Sequence, residues 1–233
     1  MKKYLERNWL FILITLIVIV PILFYAGNSI PAADDYSNAV GMCSYWENHS
    51  SSLEAALAKT YDIYIYTGGY YFAAFLNFFF VPFLRFGING IRVFNVISNL
   101  FFFLSLFFFI YSFLYTVIMR AKYIIWPIYS LIVIMLVNGT MNSEVYTWYC
   151  VQVAYILPLA LMLVAFGMFI LSVNKESKLY IPAAIIAFGV SGSSLNIAAL
   201  NCGFLFLIGI YAFFYLNKKK ESICVFTAAL FGA

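Results

Sequence analysis

Charge is what this sequence has least of: only 9% of its 233 residues are Asp, Glu, Lys or Arg. Apolar residues make up 65% of the chain and aromatic residues 21%. A water-soluble domain of this length carries far more charge, so that class is excluded. The apolar runs do not alternate with polar residues, which excludes a transmembrane β-barrel. The composition predicts a polytopic α-helical membrane protein.

Other absences remove whole classes of chemistry. The sequence has a single histidine, His49, and four scattered cysteines without a CxxC spacing, so a His- or Cys-rich metal site is excluded. It has no P-loop, Rossmann fingerprint, GxSxG or SxxK motif, which leaves ATP-driven and serine-hydrolase chemistry without support. The net charge of +4 comes from small basic groups at the ends of apolar runs, which do not form a nucleic-acid-binding patch.

Apolar runs recur along the chain, many of them near the roughly 20 residues that a helix needs to cross a hydrocarbon core. They lie at 9–26, 70–84, 93–119, 123–137, 151–173, 179–190, 197–216 and 222–233. We therefore predict an all-α fold, with 1–233 forming a single transmembrane domain, a polytopic helical bundle. The last run is too short to span a bilayer, which predicts an incomplete, C-terminally truncated module.

Basic residues predict the orientation, because they favour the cytoplasmic side of a membrane. If the run 70–84 does not cross, every basic cluster falls inside. That run is short and interrupted by Pro82, so we predict an interfacial or re-entrant helix there. The N-terminus is then cytoplasmic, and 27–70 is an extracytoplasmic loop of the plasma membrane that carries short surface helices. The clusters are Lys2, Lys3 and Arg7; Arg120 and Lys122; Lys175 and Lys178; and Lys218 to Lys220.

Asp34 and Asp35 stand side by side just after the first apolar run. Adjacent carboxylates repel each other, so water, a cation, a basic ligand or a proton must stabilise the pair. One interpretation is a helix cap, since acidic residues are favourable in the first turn of a helix. The other is a catalytic site, in which the two carboxylates also hold a divalent cation such as Mg²⁺ or Mn²⁺. The two are compatible if one Asp caps and the other acts.

Further candidate residues lie on the same predicted outer side. Glu144 is either a second catalytic carboxylate or an exposed loop acid. Arg85 and Arg92 break the sidedness rule and suit a phosphate group, unless they extend to lipid headgroups. Aromatic rings pack on sugars but also form the belt at a membrane interface. The aromatic candidates for substrate binding are Tyr36, Tyr66 and Trp148.

The acidic pair, set in an outer loop after one helix and before many aromatic-rich spans, resembles the GT-C class of membrane glycosyltransferases. That class includes the protein mannosyltransferases, the aminoarabinose transferases and bacterial relatives. Its active site is marked by an Asp-Asp or Asp-Glu motif in the first outer loop, and Asp34-Asp35-Tyr36 stands in that place.

Two further segments resemble bacterial members of the class. The stretch 61–70 is similar to a Tyr/Trp-x-Gly-Arg segment, although Gly69 stands where the arginine would be. The spacing Glu144-x-x-x-Trp148 is the second similarity, and Tyr155 and Pro158 follow it.

The resemblance implies transfer of a sugar from a polyprenyl-phosphate carrier to a glycan, lipid or protein acceptor outside the cell. It implies Asp34 as base or metal ligand with Asp35 as its partner, or the reverse. The leaving phosphate then needs cations, supplied by arginine, by Lys59 or by the divalent ion. The alternative function is a non-enzymatic carrier or flippase for lipid-linked sugars, or an assembly protein for surface polysaccharide. In that case the acidic loop binds a cationic group or only solvates the helix ends.

Overall fold

The computed structural model describes residues 2–31, 33–68, 70–81, 86–117, 123–137, 142–175 and 177–233. Within these ranges the chain is mostly helical and contains no strand, as the composition predicts. The helices are α1 (Lys2–Ala26), α2 (Ala33–Asn48), α3 (Ser52–Thr67), α4 (Tyr71–Phe80), α5 (Gly87–Val117), α6 (Ile125–Val137), α7 (Asn142–Thr147), α8 (Tyr149–Val151), α9 (Leu157–Lys175), α10 (Tyr180–Ser191), α11 (Leu195–Phe214) and α12 (Lys219–Gly232). A π-helical turn, Gln152–Ile156, joins α8 to α9.

Four of the described helices are long and apolar enough to cross a membrane: Glu6–Ala26, Gly87–Thr116, Tyr149–Val173 and Leu195–Phe214. Shorter apolar helices, α6 and α10, lie between them in the chain. These lengths and compositions are those of a multi-pass membrane protein. Tyr149–Val173, which combines α8, the π turn and most of α9, is the central helix, with 72% of its apolar window buried against 22% for α1.

The end of α1 lies beside the start of α5. The Nε–H of Arg92 donates to the carbonyl oxygen of Ser29 at 3.2 Å, and the amide of Asn95 donates to the Ser29 hydroxyl at 3.0 Å. The arm formed by α2, α3 and α4 therefore leaves the bundle and returns to it at one end, which we call the acidic end because Asp34 and Asp35 lie there. At the opposite, basic end, the guanidinium of Arg7 lies 4.3 Å from the ring centroid of Tyr123.

Helix α4 belongs to the acidic end. Its 10 residues extend about 15 Å, half of what a hydrocarbon core requires. The Phe72 N–H donates to the Gly192 carbonyl at 2.8 Å, and the Tyr149 hydroxyl donates to the Asn77 carbonyl at 3.0 Å. These contacts pack α4 against α10 and the central helix. That the run 70–84 does not cross stays a prediction, and Pro82 lies outside the described residues.

Helix α3 lies in the 27–70 segment, where short surface helices are predicted, and Ser51 is its N-cap. The Ser51 hydroxyl accepts the N–H of Glu54 at 3.2 Å, which satisfies one of the free donors of the first turn. The helix continues to Thr67, well into the stretch 61–70. Exposed apolar side chains recur along it at helical spacing, as in a helix that lies on a membrane surface. They are Leu53, Leu57, Tyr61, Tyr64 and Ile65.

Small residues let the later helices approach closely. A Cβ added at Gly232 would lie 2.1 Å from the carbonyl oxygen of Phe188, so α12 and α10 touch at backbone level. Small residues commonly mediate such contacts between membrane helices. The amide of Asn201 joins α11 to α10, donating at 2.8 Å to the Ala187 carbonyl and the Ser191 hydroxyl.

Candidate functional site at the acidic end

The acidic pair occupies the first turn of α2, where the positive end of the helix dipole favours carboxylates. Neighbouring residues on a helix point about 100° apart, so the two side chains face different surroundings. Asp34 is exposed, whereas Asp35 is 1% exposed. The structure thus separates two residues that the sequence presents as equivalent.

The Asp35 carboxylate fastens α2 to the start of the central helix. Its Oδ1 accepts the backbone N–H of Cys150 at 3.2 Å and lies 3.1 Å from the Cys150 thiol, which donates to it. The amide of Asn38 lies 3.1 Å from the same sulfur. Because Cys150 stands in the first turn of the central helix, Asp35 faces free N–H groups that suit a negative charge. Asp35 therefore stabilises the packing of α2 against the start of the central helix.

The Asp34 carboxylate remains accessible from outside the bundle. The contact described at this residue is made by its backbone, whose carbonyl accepts the Ser37 hydroxyl at 3.0 Å. Throughout the described ranges, no group of three or more His, Cys, Asp or Glu side chains is arranged to hold a metal. A divalent cation at Asp34 would thus take its remaining ligands from water or a substrate, and the predicted metal role of the pair stays a prediction.

A cluster of buried polar side chains lies one layer further in; we call Asn95, Ser98, Asn99 and Gln152 the amide cluster. The Gln152 amide donates to Asn99 Oδ1 at 3.2 Å, and the Ser98 hydroxyl donates to Gln152 Oε1. All four side chains are essentially inaccessible. They join α5 to the first residue of the π turn.

The amide cluster satisfies the carbonyl groups at the end of α7. Helix α7 stops at Thr147, and its last carbonyls lose their helical partners there. Three side-chain amides replace those partners. Asn95 donates to Thr147 O at 2.6 Å, Asn99 to Tyr146 O at 2.8 Å, and Gln152 to Val145 O at 2.6 Å. The break between α7 and the central helix is thus stabilised by side chains of α5 and of the π turn.

Sequence reasoning missed the amide cluster and Cys150. A usable signal was present: Asn95 and Asn99 are one helical turn apart inside the apolar run 93–119, and Gln152 interrupts the next long run. The Oδ1 atom of Asn95 is buried without a hydrogen-bond partner. A buried polar atom left in this state costs about 1–3 kcal/mol. π turns, like the one that begins at Gln152, frequently lie at functional sites.

Of the predicted binding residues, Arg92 and Trp148 lie closest to this arrangement. Arg92 is partly buried and shares Ser29 with Asn95. Trp148 follows α7 directly, and its buried indole N–H has no hydrogen-bond partner. Both residues therefore adjoin the break between α7 and the central helix.

The two tyrosines are placed differently. Tyr36 is exposed on α2, beside Asp35 in sequence, whereas Tyr66 is 83% exposed near the end of α3. A hydrogen bond from Tyr45 to Asp62 raises the pKa of Tyr45, and Tyr66 adds a smaller effect in the same direction. Tyr66 is thus close enough to the Tyr45–Asp62 pair to influence the pKa of Tyr45. Arg85 and the side chain of Glu144 lie outside the described residues.

Two apolar grooves flank the amide cluster. One, with a volume of about 400 Å³, lies between α1, α6 and α7 and is bordered by Pro21, Tyr25, Tyr146 and Thr147. The other, of about 300 Å³, lies between α4, α5 and α9 and is bordered by Phe94, Ser98 and Leu157. Both grooves therefore reach residues of the cluster or their direct partners, so an apolar chain in either one would end near polar groups.

Comparison with protein-family models, curated proteins and solved structures finds no match to this chain. The resemblance to the GT-C class rests on the quoted motifs alone and remains a prediction.

Proposed function

We propose that the protein is a membrane glycosyltransferase, which moves a sugar from a polyprenyl-phosphate carrier to an acceptor at the acidic end. The observation that carries the proposal is the division of labour between the two aspartates. Asp34 is accessible, and Asp35 fixes the backbone that presents it. An exposed carboxylate on a rigidly anchored turn is the arrangement that a general base needs.

In this reaction Asp34 takes the proton from an acceptor hydroxyl. The acceptor oxygen forms a bond to the anomeric carbon while the bond from that carbon to the phosphate oxygen breaks. The electron pair of the broken bond leaves with the carrier phosphate. The same use of a carboxylate on a hydroxyl is known from glycoside chemistry with water as acceptor.

The leaving phosphate gains negative charge and needs nearby cations. Arg92 is the described arginine of this region, and its fork geometry suits phosphate oxygens. A divalent ion between Asp34 and the phosphate would add to the same effect.

The carrier lipid must lie in the membrane while its phosphate reaches Asp34. The two apolar grooves beside the amide cluster provide surfaces for the isoprenoid chain. The exposed apolar stripe of α3 would hold the arm at the level of the headgroups. The lipid-linked donor, the base Asp34 and the membrane surface can thus lie together at the acidic end.

The deciding experiment measures sugar transfer from a panel of polyprenyl-phosphate sugars in membranes that contain the protein. Asp34→Asn should lower transfer by about 100-fold or more, the typical contribution of a general base. The matched control is Glu47→Gln, an exposed acid on the same helix, which should leave transfer unchanged.

Transfer that survives in Asp34→Asn at equal protein levels would remove this residue from the mechanism. A well-folded wild type without transfer from any donor would favour the carrier or assembly role instead.

A further inference from the structure

The turn between α11 and α12 brings three lysines to the tip of the basic end. Asn217 adopts a left-handed conformation with φ of 57°, and the Lys218 N–H donates back to the Ala212 carbonyl at 3.0 Å. A left-handed residue of this kind commonly follows the end of a helix. Lys218, Lys219 and Lys220 then lie where the negative end of the α11 dipole favours cations. Glu221 follows them, so the turn keeps an excess of two positive charges.

An apolar groove of about 370 Å³ runs along one side of α11, between α5 and α9. Its border includes Val173, Leu207, Ala212 and Leu216. Ala212 is the residue that accepts the Lys218 N–H, so this groove ends directly below the lysine turn.

A second apolar groove, of about 270 Å³, runs along the other side of α11, against α12. Phe213 borders it, and the ammonium of Lys219 lies 5.5 Å from the centre of that ring. Gly209 also borders it, and a Cβ added there would meet no atom within 4 Å. The groove therefore reaches the backbone of α11 and also ends at the lysine turn.

We propose that the α11–α12 turn binds an anionic phospholipid, with its phosphate at Lys219 and Lys220 and its acyl chains in the two grooves. Each of the two apolar grooves holds one acyl chain of the phospholipid. Both grooves end beside the lysines, where the phosphate of the lipid would lie. A protein segment would need polar partners along its backbone, and the grooves expose almost none. Basic groups beside membrane helices are known to attract anionic lipids. The site is independent of the proposed transferase activity.

The test uses the purified full chain, delipidated in detergent and titrated with dioleoyl phosphatidylglycerol or dioleoyl phosphatidylcholine. Native mass spectrometry counts the lipid that stays bound. The wild type should retain one phosphatidylglycerol at concentrations where phosphatidylcholine is lost. The double variant Lys219→Gln, Lys220→Gln should weaken phosphatidylglycerol binding by about 30-fold, since each basic residue contributes about fivefold.

Two further variants separate headgroup from chain recognition. Gly209→Leu fills the second groove and should weaken binding of both lipids while preserving the preference for phosphatidylglycerol. Lys178→Gln removes an exposed lysine that borders neither groove and should change nothing. Equal binding of both lipids by the wild type would overturn the proposal. So would an equal loss in Lys178→Gln, or no loss in a Gly209→Leu protein whose helical content by circular dichroism is unchanged.

Discussion

The two ends of the bundle are held together by different forces. At the acidic end, side-chain amides and a carboxylate join α2, α5, α7 and the central helix through directional hydrogen bonds. Toward the basic end, apolar side chains line the two grooves beside α11. Hydrogen bonds fix distances and angles, whereas apolar packing between membrane helices tolerates sliding. The comparison indicates that positional precision is concentrated where the accessible Asp34 lies, as a site of chemistry requires.

Removing the centre of the amide cluster should give the largest effect. Gln152→Leu removes the amide that donates to the Val145 carbonyl and to the Asn99 Oδ1 atom. We expect a loss of about 3 kcal/mol, the cost of more than one unsatisfied buried group. Unfolding of the detergent-solubilised protein measures it. As a control, Thr116→Val at the basic end removes only a bond to the Ser112 carbonyl within α5 and should be nearly neutral. Equal losses in the two variants would contradict the difference between the ends.

A methyl group at the contact between α4 and α10 should have the next largest effect. A Cβ at Gly192 would lie 2.1 Å from the ring of Tyr71, so Gly192→Ala forces that ring to move. We expect a loss of about 1–3 kcal/mol in thermal unfolding, as for other overpacked sites.

Gly203→Ala is the matched control for that substitution, because a Cβ there meets no atom within 4 Å. It should stabilise α11 slightly, through the higher helix propensity of alanine. A stable Gly192→Ala protein would show that the arm is not pressed against α10.

The two aspartates should differ in stability as well as in activity. Asp35→Asn weakens a buried acceptor of the Cys150 N–H and should destabilise the fold by about 1–3 kcal/mol. Asp34→Asn removes only an exposed charge near the α2 dipole and should cost less than about 1 kcal/mol. Unfolding of both variants at neutral pH provides the measurement. Asp34→Asn as the more damaging change would reverse the assigned roles.

The smallest effect concerns the start of α3. The hydrogen bond from Ser50 lowers the pKa of Glu54, so the folded arm favours the ionised form. The stabilisation is therefore present above the ordinary pKa of a glutamate and is lost as pH falls through the lowered value. Limited proteolysis of the arm should increase over that acidic range in the wild type. Glu54→Gln should show no such dependence, and a variant that keeps it would assign the transition to another group.

Apolar run length predicted the helices well, because a spanning helix must bury its backbone polar groups within one continuous segment. The positions of α6 and α10 follow the runs within two residues, whereas α1 begins at Lys2, seven residues before its run. Helix α5 begins earlier than its run, at Gly87, and the polar Arg92 in this extension contacts Ser29.

The site was harder to predict, because it depends on helix phase and on distant partners. The sequence Asp34-Asp35 does not indicate which carboxylate faces the interior of the bundle. The position of Cys150, whose N–H donates to Asp35, determines it. Gln152 and Asn99 are far apart in sequence. Each interrupts an apolar run with a polar side chain, and only the structure shows that the two form a hydrogen bond. A polar side chain within a predicted span is thus better interpreted as one partner of a hydrogen bond whose other partner lies elsewhere in the sequence.

The anchoring of the arm also has a consequence for biosynthesis. Asp35 meets a partner that is synthesised 115 residues later, and Tyr71 meets the Gly232 carbonyl across 161 residues. At ordinary elongation rates this delay is on the order of ten seconds, during which the arm has left the ribosome without its docking surface. We expect the exposed apolar side chains of α3 to hold the nascent arm at the bilayer surface until α10 and α12 have been synthesised.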